Sequence, residues 1–161
     1  MKFINVTIEI PRGSRNKYEY DHAQHVIKLN RHLTSSMCYP ADYGFIPETL
    51  GGDGDPLDAL VLTEYPTFPG CVIETRVVGM LSMVDEHGDD AKLITVPVYD
   101  DKWRSTGDIR DLSKPFLDEM KHFFSFYKSL DEGKWVQMNE YQDREAALHE
   151  LAQCLARFKE V

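Results

Sequence analysis

The stretch Gly51 to Leu60, GGDGDPLDAL, puts Asp53, Asp55 and Asp58 within six positions, between glycines and an apolar run. Two carboxylates ~5 Å apart repel by roughly 3 kcal/mol at an effective dielectric near 20. Water, a basic neighbour or a bound cation must offset that cost. Gly-Asp-Gly-Asp is also ordinary turn chemistry, since Asp bonds its own backbone and Gly allows positive φ. Pro56 and the run Ala59-Leu60-Val61-Leu62 argue against a loop that dangles in water, because Asp58 stands at the mouth of a core strand. A calcium loop of the EF-hand type does not fit. Counted from Asp53, its fifth and sixth places hold Leu57 and Asp58, where a ligand and a glycine are required. A second acidic run, VDEHGDDAK, sets Asp85 and Glu86 before Gly88, and Asp89 and Asp90 after it. A hairpin turning at Gly88 would bring Asp85 and Asp90 near each other. Separately, each run reads as a charged turn; facing one another, they would hold a divalent cation.

The elements that must position these acids are mostly strands. Phe3 to Ile10 alternates apolar and polar residues until Pro11 and Gly13 stop it. Short strands are expected at Tyr18–Tyr20, His25–Leu29 and Leu60–Leu62, and longer ones at Cys71–Met83 and Leu93–Val98. Helices come late. Ser113 can cap and Pro115 suits the first helical position. Phe116, Met120, Phe123, Phe124 and Tyr127 then follow helical spacing, up to a stop at Asp131–Gly133. GKWVQMNEY reads as a returning strand. Asp143 caps a last helix with the stripe Leu148, Leu151, Leu155 and Phe158. Strands first and helices after them predict an α+β chain built on a small antiparallel barrel. No repeat, linker or low-complexity tract divides residues 1–161, so one domain is expected.

The 161 residues are 42% hydrophobic and 28% charged, a globular composition. A net charge of -9 argues against the nucleic-acid backbone and anionic membranes as partners. It leaves room for a small phosphate ligand, because divalent metals invert the local field. Cys38, Cys71 and Cys154 are odd in number and form no CxxC, so neither a disulfide framework nor a zinc knuckle is expected. The N-terminus lacks an unbroken apolar h-region, and no run approaches the ~20 apolar residues of a membrane helix. A cytoplasmic location is the expectation.

Asp53-Gly54-Asp55-Pro56-Leu57-Asp58-Ala59 resembles the signature of the family I soluble inorganic pyrophosphatases. Glu9-Ile10-Pro11 with Lys17-Tyr18-Glu19, Tyr39-Pro40, Tyr43-Gly44, Asp85-Glu86 with Asp90-Ala91-Lys92, His122-Phe123-Phe124, Tyr127-Lys128 and Gly133-Lys134-Trp135 follow in the family's order. The compact length and VDEHGDD are most similar to the bacterial branch, the actinobacterial one in particular. The resemblance implies Mg²⁺-dependent hydrolysis of pyrophosphate to two orthophosphates, with several Mg²⁺ ions per site. It implies a five-stranded OB-like barrel with flanking C-terminal helices, and a homohexamer in the cytoplasm. Carried over residue by residue, it makes Asp53, Asp58, Asp85, Asp90 and Glu9 metal-linked acids. Asp55 is the first candidate proton acceptor and Asp90 the second. Lys17, Arg31 and Lys128 would hold phosphate, with Tyr43 and Tyr127 donating hydrogen bonds. Lys92 is either a further contact or a partner for the acids, and Glu19 stands one layer back.

Without the resemblance, each of these has a plainer reading. Lys17 and Lys128 would be surface lysines, Arg31 an ion-pair partner, Tyr127 a core residue and Glu9 an outward strand residue. No histidine is assigned as a ligand: His22 and His25 lack a third partner, and His87 fits a solvated turn. Asn30 stands where relatives frequently carry an acid, and DDKWRSTGDIRDL matches only loosely. Two competing readings are a nucleic-acid or oligosaccharide binder on the same barrel and a catalytically dead metal scaffold. The first would need a basic groove with exposed aromatics. The second would need a missing ligand or phosphate group, and none is missing. No GxxxxGK[ST] occurs, so a P-loop is excluded.

Overall fold

The computed structural model describes residues 3–161; Met1 and Lys2, at the head of the alternating N-terminal stretch, lie outside the described residues. The strands are β1 (Ile4–Ile10), β2 (Asn16–Asp21), β3 (Val26–His32), β4 (Asp42–Phe45), β5 (Asp58–Val61), β6 (Val72–Asp85), β7 (Gly88–Pro97) and β8 (Val136–Gln142). Helix α1 (Lys114–Phe126) precedes β8, and α2 (Arg144–Lys159) follows it. Five strands close on themselves: β1 pairs with β4, β4 with β5, β5 with β7, β7 with β6, and β6 again with β1. This is the expected OB-like barrel with C-terminal helices. Closure removes the exposed sheet edges that would otherwise template aggregation. β8 adds to the far half of β6, and β2–β3 form a separate hairpin.

One pairing departs from an all-antiparallel ring: β5 and β7 run parallel. A parallel pair needs a crossover, and β6, antiparallel to β7, supplies it. The sequence pattern also hid β4. It is four residues long, with Pro40 and Pro47 on either side.

Alternation builds the core. Ile4, Val6, Ile8 and Ile10 of β1 are all buried. One cluster joins the barrel to α1 through Leu60, Leu81, Ile94, Phe123 and Phe124. A second lies under α2 and gathers Val6, Ala59, Val61, Leu93 and Leu151. Of the expected α2 stripe, Leu151 is buried and Leu148 and Leu155 pack half-buried against the same cluster, but Ala147 and Cys154 complete the buried line and Phe158 is 46% exposed. α1 ends at Phe126, earlier than the expected stop. Ser129 N–H then donates to the Phe126 carbonyl (3.0 Å) and Asp131 N–H to the Lys128 carbonyl (3.1 Å), so the chain continues in tight turns.

Candidate active site

Every site residue named from the sequence lines one cavity of about 440 Å³: Glu9, Asp53, Asp55, Asp58, Asp85 and Asp90, together with Lys17, Arg31, Tyr43, Tyr127 and Lys128. Strand register explains most of this convergence. Glu9 is the extra residue of a bulge between Ile8, opposite Gly44, and Ile10, opposite Tyr43. Bulges re-aim side chains and are common beside active sites. Gly44 must be glycine, because a Cβ there would fall 1.9 Å from the Thr7 carbonyl oxygen. That close approach seats the neighbouring Tyr43. Lys17 stands directly opposite Arg31 in the β2–β3 hairpin, so both cations share a face. Asp58 is the parallel partner of Lys92 across β5–β7, and Asp90 lies two residues from Lys92 on the same face. At the hairpin tip Gly88 takes φ +112° and pairs with Asp85, while Asp90 pairs with Met83. Asp85 and Asp90 are therefore diagonal neighbours.

The Lys92 ammonium, 2% exposed, organises the floor of the cavity. It donates to Asp58 Oδ2 (2.8 Å), to both Asp90 oxygens (3.1 and 3.0 Å) and to the Tyr43 hydroxyl (3.0 Å). The Tyr43 hydroxyl in turn donates to Asp58. The rings of Tyr43 and Phe124 flank the same ammonium at 5.1 and 5.4 Å from their centroids. Burial opposes the charge on Lys92, but Asp58, Tyr43 and Asp90 hold its pKa well above the usual value. Burial also raises the Asp90 carboxyl, with Lys92 pulling it down and Asp58 pushing it up.

Lys128, which the resemblance assigns to phosphate, is paired with acids here. Its ammonium donates to Asp85 Oδ2 (2.8 Å) and to both Glu86 oxygens (3.2 and 3.1 Å). Burial alone would raise Asp85; the Lys128 ammonium and the His87 N–H (2.8 Å) bring it below the usual carboxylate range. Burial pushes Glu9 up to about 7, against the Tyr20 N–H that donates to it (2.8 Å). Arg31 is anchored from outside, 2.8 Å from Asp131, whose other oxygen accepts from Thr34 (2.8 Å). Glu19 holds the Lys17 ammonium (2.6 Å) and accepts from Asn30 (3.0 Å). An acid at position 30 would repel Glu19 at that point.

Glu86, Lys134 and Tyr39 also line the cavity but were not named as site residues from the sequence, while Lys92 stands in this structure as the partner for the acids. Glu86 and Lys134 lie inside the quoted DE and GKW motifs, which was the available signal. The lining holds eight carboxylates (Glu9, Glu19, Asp53, Asp55, Asp58, Asp85, Glu86, Asp90) against five cations (Lys17, Arg31, Lys92, Lys128, Lys134). Among the described residues, no three carboxylate, imidazole or thiolate groups converge closely enough to grip an ion as they stand. The ammonium groups of Lys92 and Lys128 sit among the acids instead. All the same, the donor set suits a hard cation, because it is oxygen-rich, rigidly based and short of compensating charge.

A closed barrel carrying such a cavity, in which carboxylates are interleaved with ammonium groups and phenols, has the make-up of a site for cation-assisted chemistry on small anions. The family pattern for inorganic pyrophosphatase matches residues 6–159. The inorganic pyrophosphatase of Thermus thermophilus is 51% identical over 158 residues, which cover 97% of this chain and 90% of that one. The inorganic pyrophosphatase of Streptomyces coelicolor is 49% identical over 156 residues, covering 97% and 96%. The crystal structure of the Thermus thermophilus protein superposes with a TM-score of 0.95 over 98% of this chain and 91% of that one. A truncated vacuolar soluble pyrophosphatase of Trypanosoma cruzi in complex with PPi superposes with a TM-score of 0.90 at 25% identity, over 99% of this chain and 70% of that one. This chain belongs to the inorganic pyrophosphatase family, whose members are metal-dependent enzymes.

Proposed function

We propose that the chain hydrolyses inorganic pyrophosphate to two orthophosphates in this cavity, with Mg²⁺ as its cofactor and residues 1–161 acting as one domain. The observation that carries the reading is the charge count. Eight carboxylates against five cations leave an excess of negative charge in a cavity that must admit a polyanion. Pyrophosphate alone would be repelled; with divalent cations it would be attracted.

Asp53, Asp58, Asp85, Asp90 and Glu9 would hold the ions. Mg²⁺ suits them because it takes oxygen ligands and shares its coordination with phosphates. When bound, such ions neutralise phosphoryl oxygens and lower the pKa of a coordinated water. Lys17, Arg31 and Lys128 supply cations for the phosphate oxygens and Tyr127 a hydroxyl donor; Tyr43, whose proton goes to Asp58, would have to redirect it to serve as the second donor. Arg31, gripped from behind by Asp131, keeps N–H groups for a planar, forked contact. Asp55 is the better-supported proton acceptor. Both Asp90 oxygens already accept from Lys92, whereas Asp55 sits on the exposed loop with its backbone, not its carboxylate, tied down.

Apolar surface left uncovered on the chain supports assembly into a homo-oligomer, which family likeness makes a homohexamer. Leu29 is 60% exposed and Val72 58%. All three cysteines carry free thiols, which supports a cytoplasmic setting. Among the described residues no helix is long and apolar enough to cross a membrane. An excess of carboxylates in this cavity speaks against a nucleic-acid groove. The test is phosphate release from pyrophosphate with Mg²⁺, without metal, and with Ca²⁺ in place of Mg²⁺. Release is expected with Mg²⁺ alone at full rate; no release above background would overturn the reading. Equal rates with Ca²⁺ would contradict a tight metal geometry.

A further inference from the structure

We infer that Arg157, in the last turn of α2, is a positioning residue for Asp55. The inference rests on the reading of Asp55 as proton acceptor in pyrophosphate hydrolysis.

The link runs through a single peptide group. The Leu50 carbonyl accepts from Arg157 Nη1 (3.1 Å). The N–H on the other side of that peptide bond, Gly51, donates to the Asp55 carbonyl (2.7 Å). A guanidinium on the carbonyl polarises the amide and strengthens its N–H as a donor. The neighbouring Leu50 N–H donates to the Cys154 carbonyl of α2 (3.0 Å), so the clasp has two strands. Arg157 is itself steadied by Gln153 (3.4 Å) and Glu150 (3.7 Å).

The loop needs such a clasp because little lies behind it. A second cavity of about 420 Å³ backs the loop, with Gly51, Gly52 and Asp53 on one wall and Glu150, Gln153 and Arg157 on the other. A Cβ built at Gly52 or Gly54 meets nothing within 4 Å. The acidic segment is therefore a partition between two cavities. It is held at its base by the Thr49 hydroxyl, which accepts from Leu57 N–H (2.9 Å), and at its middle by the rung between Gly51 and Asp55. Without Arg157 the rung is anchored on one strand only. A displacement of about 1 Å at a reacting group costs up to ~10²-fold in rate.

The phosphate-holding groups come from β2, β3, β4 and the turn after α1, so the clasp should not govern substrate binding. Arg157→Met is expected to lower kcat about tenfold with KM within about twofold, and Arg157→Lys to recover part of that loss. Mg²⁺ binding, followed by calorimetry without substrate, should weaken about threefold, because Asp53 shares the loop. Free guanidinium ion at tens of millimolar should partly restore Arg157→Ala. An arginine that only stabilises the fold would lower the melting temperature and leave kcat of the folded enzyme alone; that result overturns the inference, as does a rise in KM with kcat unchanged. Should Arg157→Met not fold, Glu150→Gln loosens the same guanidinium, and a kcat equal to that of the unsubstituted enzyme would equally overturn it. Absence of hydrolysis in the unsubstituted protein would instead defeat the functional reading, while the Mg²⁺ titration still tests the clasp.

Discussion

The Lys128 ammonium lies 2.8 Å from an Asp85 oxygen and 3.1 Å from Glu86, and it is only 5% exposed. A cation is thus already bound to one of the proposed metal ligands, and that cation belongs to the protein. For Lys128 to meet phosphate it must exchange partners, and a divalent ion at Asp85 would favour the exchange. Removing the amine therefore has opposite effects on the two ligands. Lys128→Gln is expected to tighten equilibrium Mg²⁺ binding by up to about tenfold while raising KM for pyrophosphate by a similar factor. Calorimetry and steady-state kinetics measure the two separately; weaker Mg²⁺ binding would contradict the account.

Lys92 is the other internal counter-ion, and it is shared by Asp58 and Asp90. Removing one partner of a buried ion pair leaves uncompensated charge and typically costs 3–5 kcal/mol. Lys92→Met is expected to lower metal-free stability by about that much. Added Mg²⁺ should restore more stability to this variant than to the unsubstituted protein, since a ligand bound only by the folded state stabilises it by mass action. Thermal unfolding with and without Mg²⁺ tests this; an equal Mg²⁺ shift in both proteins would count against the shared counter-ion.

Glu9 gives the metal-free protein a pH dependence of defined sign. Burial raises its carboxyl from 4.5 to about 7. Between those values the folded state holds a proton that the unfolded chain has released, so stability falls as pH rises through the window and levels off above it. Glu9→Gln, whose amide oxygen can still accept from Tyr20, should flatten that slope. Urea unfolding in chelator at pH 5 and pH 8 compares the two proteins. The same loss in both would mean that Glu9 does not carry it.

Asp55, unlike Asp58 and Asp90, has its backbone fixed and its carboxylate left out of the lysine-centred networks. Asp55→Asn is expected to cut kcat by at least ~10²-fold with little change in stability, as loss of a proton acceptor commonly does. Near-normal turnover in that variant, with a large loss in Asp90→Asn, would move the role to Asp90.

Strand existence was legible because alternation survives burial: Ile4, Val6, Ile8 and Ile10 announce β1, and Gly88 announces the hairpin. β4 was not, because four residues give no period and Asp42 is buried for a reason only the fold supplies. Its carboxylate accepts from the Arg12 N–H (2.8 Å) and from Thr67 (2.5 and 3.0 Å). The parallel β5–β7 pairing was equally hidden, since nothing in Asp58–Val61 or Gly88–Pro97 encodes direction. At the site, residue types identified the acids and bases that gather in the cavity. Their partners depend on register and were out of reach. Lys128 in the grip of Asp85, Arg31 held by Asp131, and Asn30 beside Glu19 are contacts between residues distant in sequence or offset by a bulge. Arg157 gave no signal at all; it reads as a helix-end cation until the Leu50 carbonyl appears beside it.

The aspartates of the Asp53–Asp58 loop and the Asp85–Asp90 hairpin would form a cation cage among the lysines and phenols that now pair with them. Anomalous diffraction from crystals grown with Mn²⁺, an oxygen-seeking stand-in for Mg²⁺, tests it most directly. Peaks are predicted between the Asp53–Asp58 loop and the Asp85–Asp90 hairpin, with Lys128 displaced from Asp85. Ordered Mn²⁺ found only outside this cavity, with Lys128 still on Asp85, would contradict it.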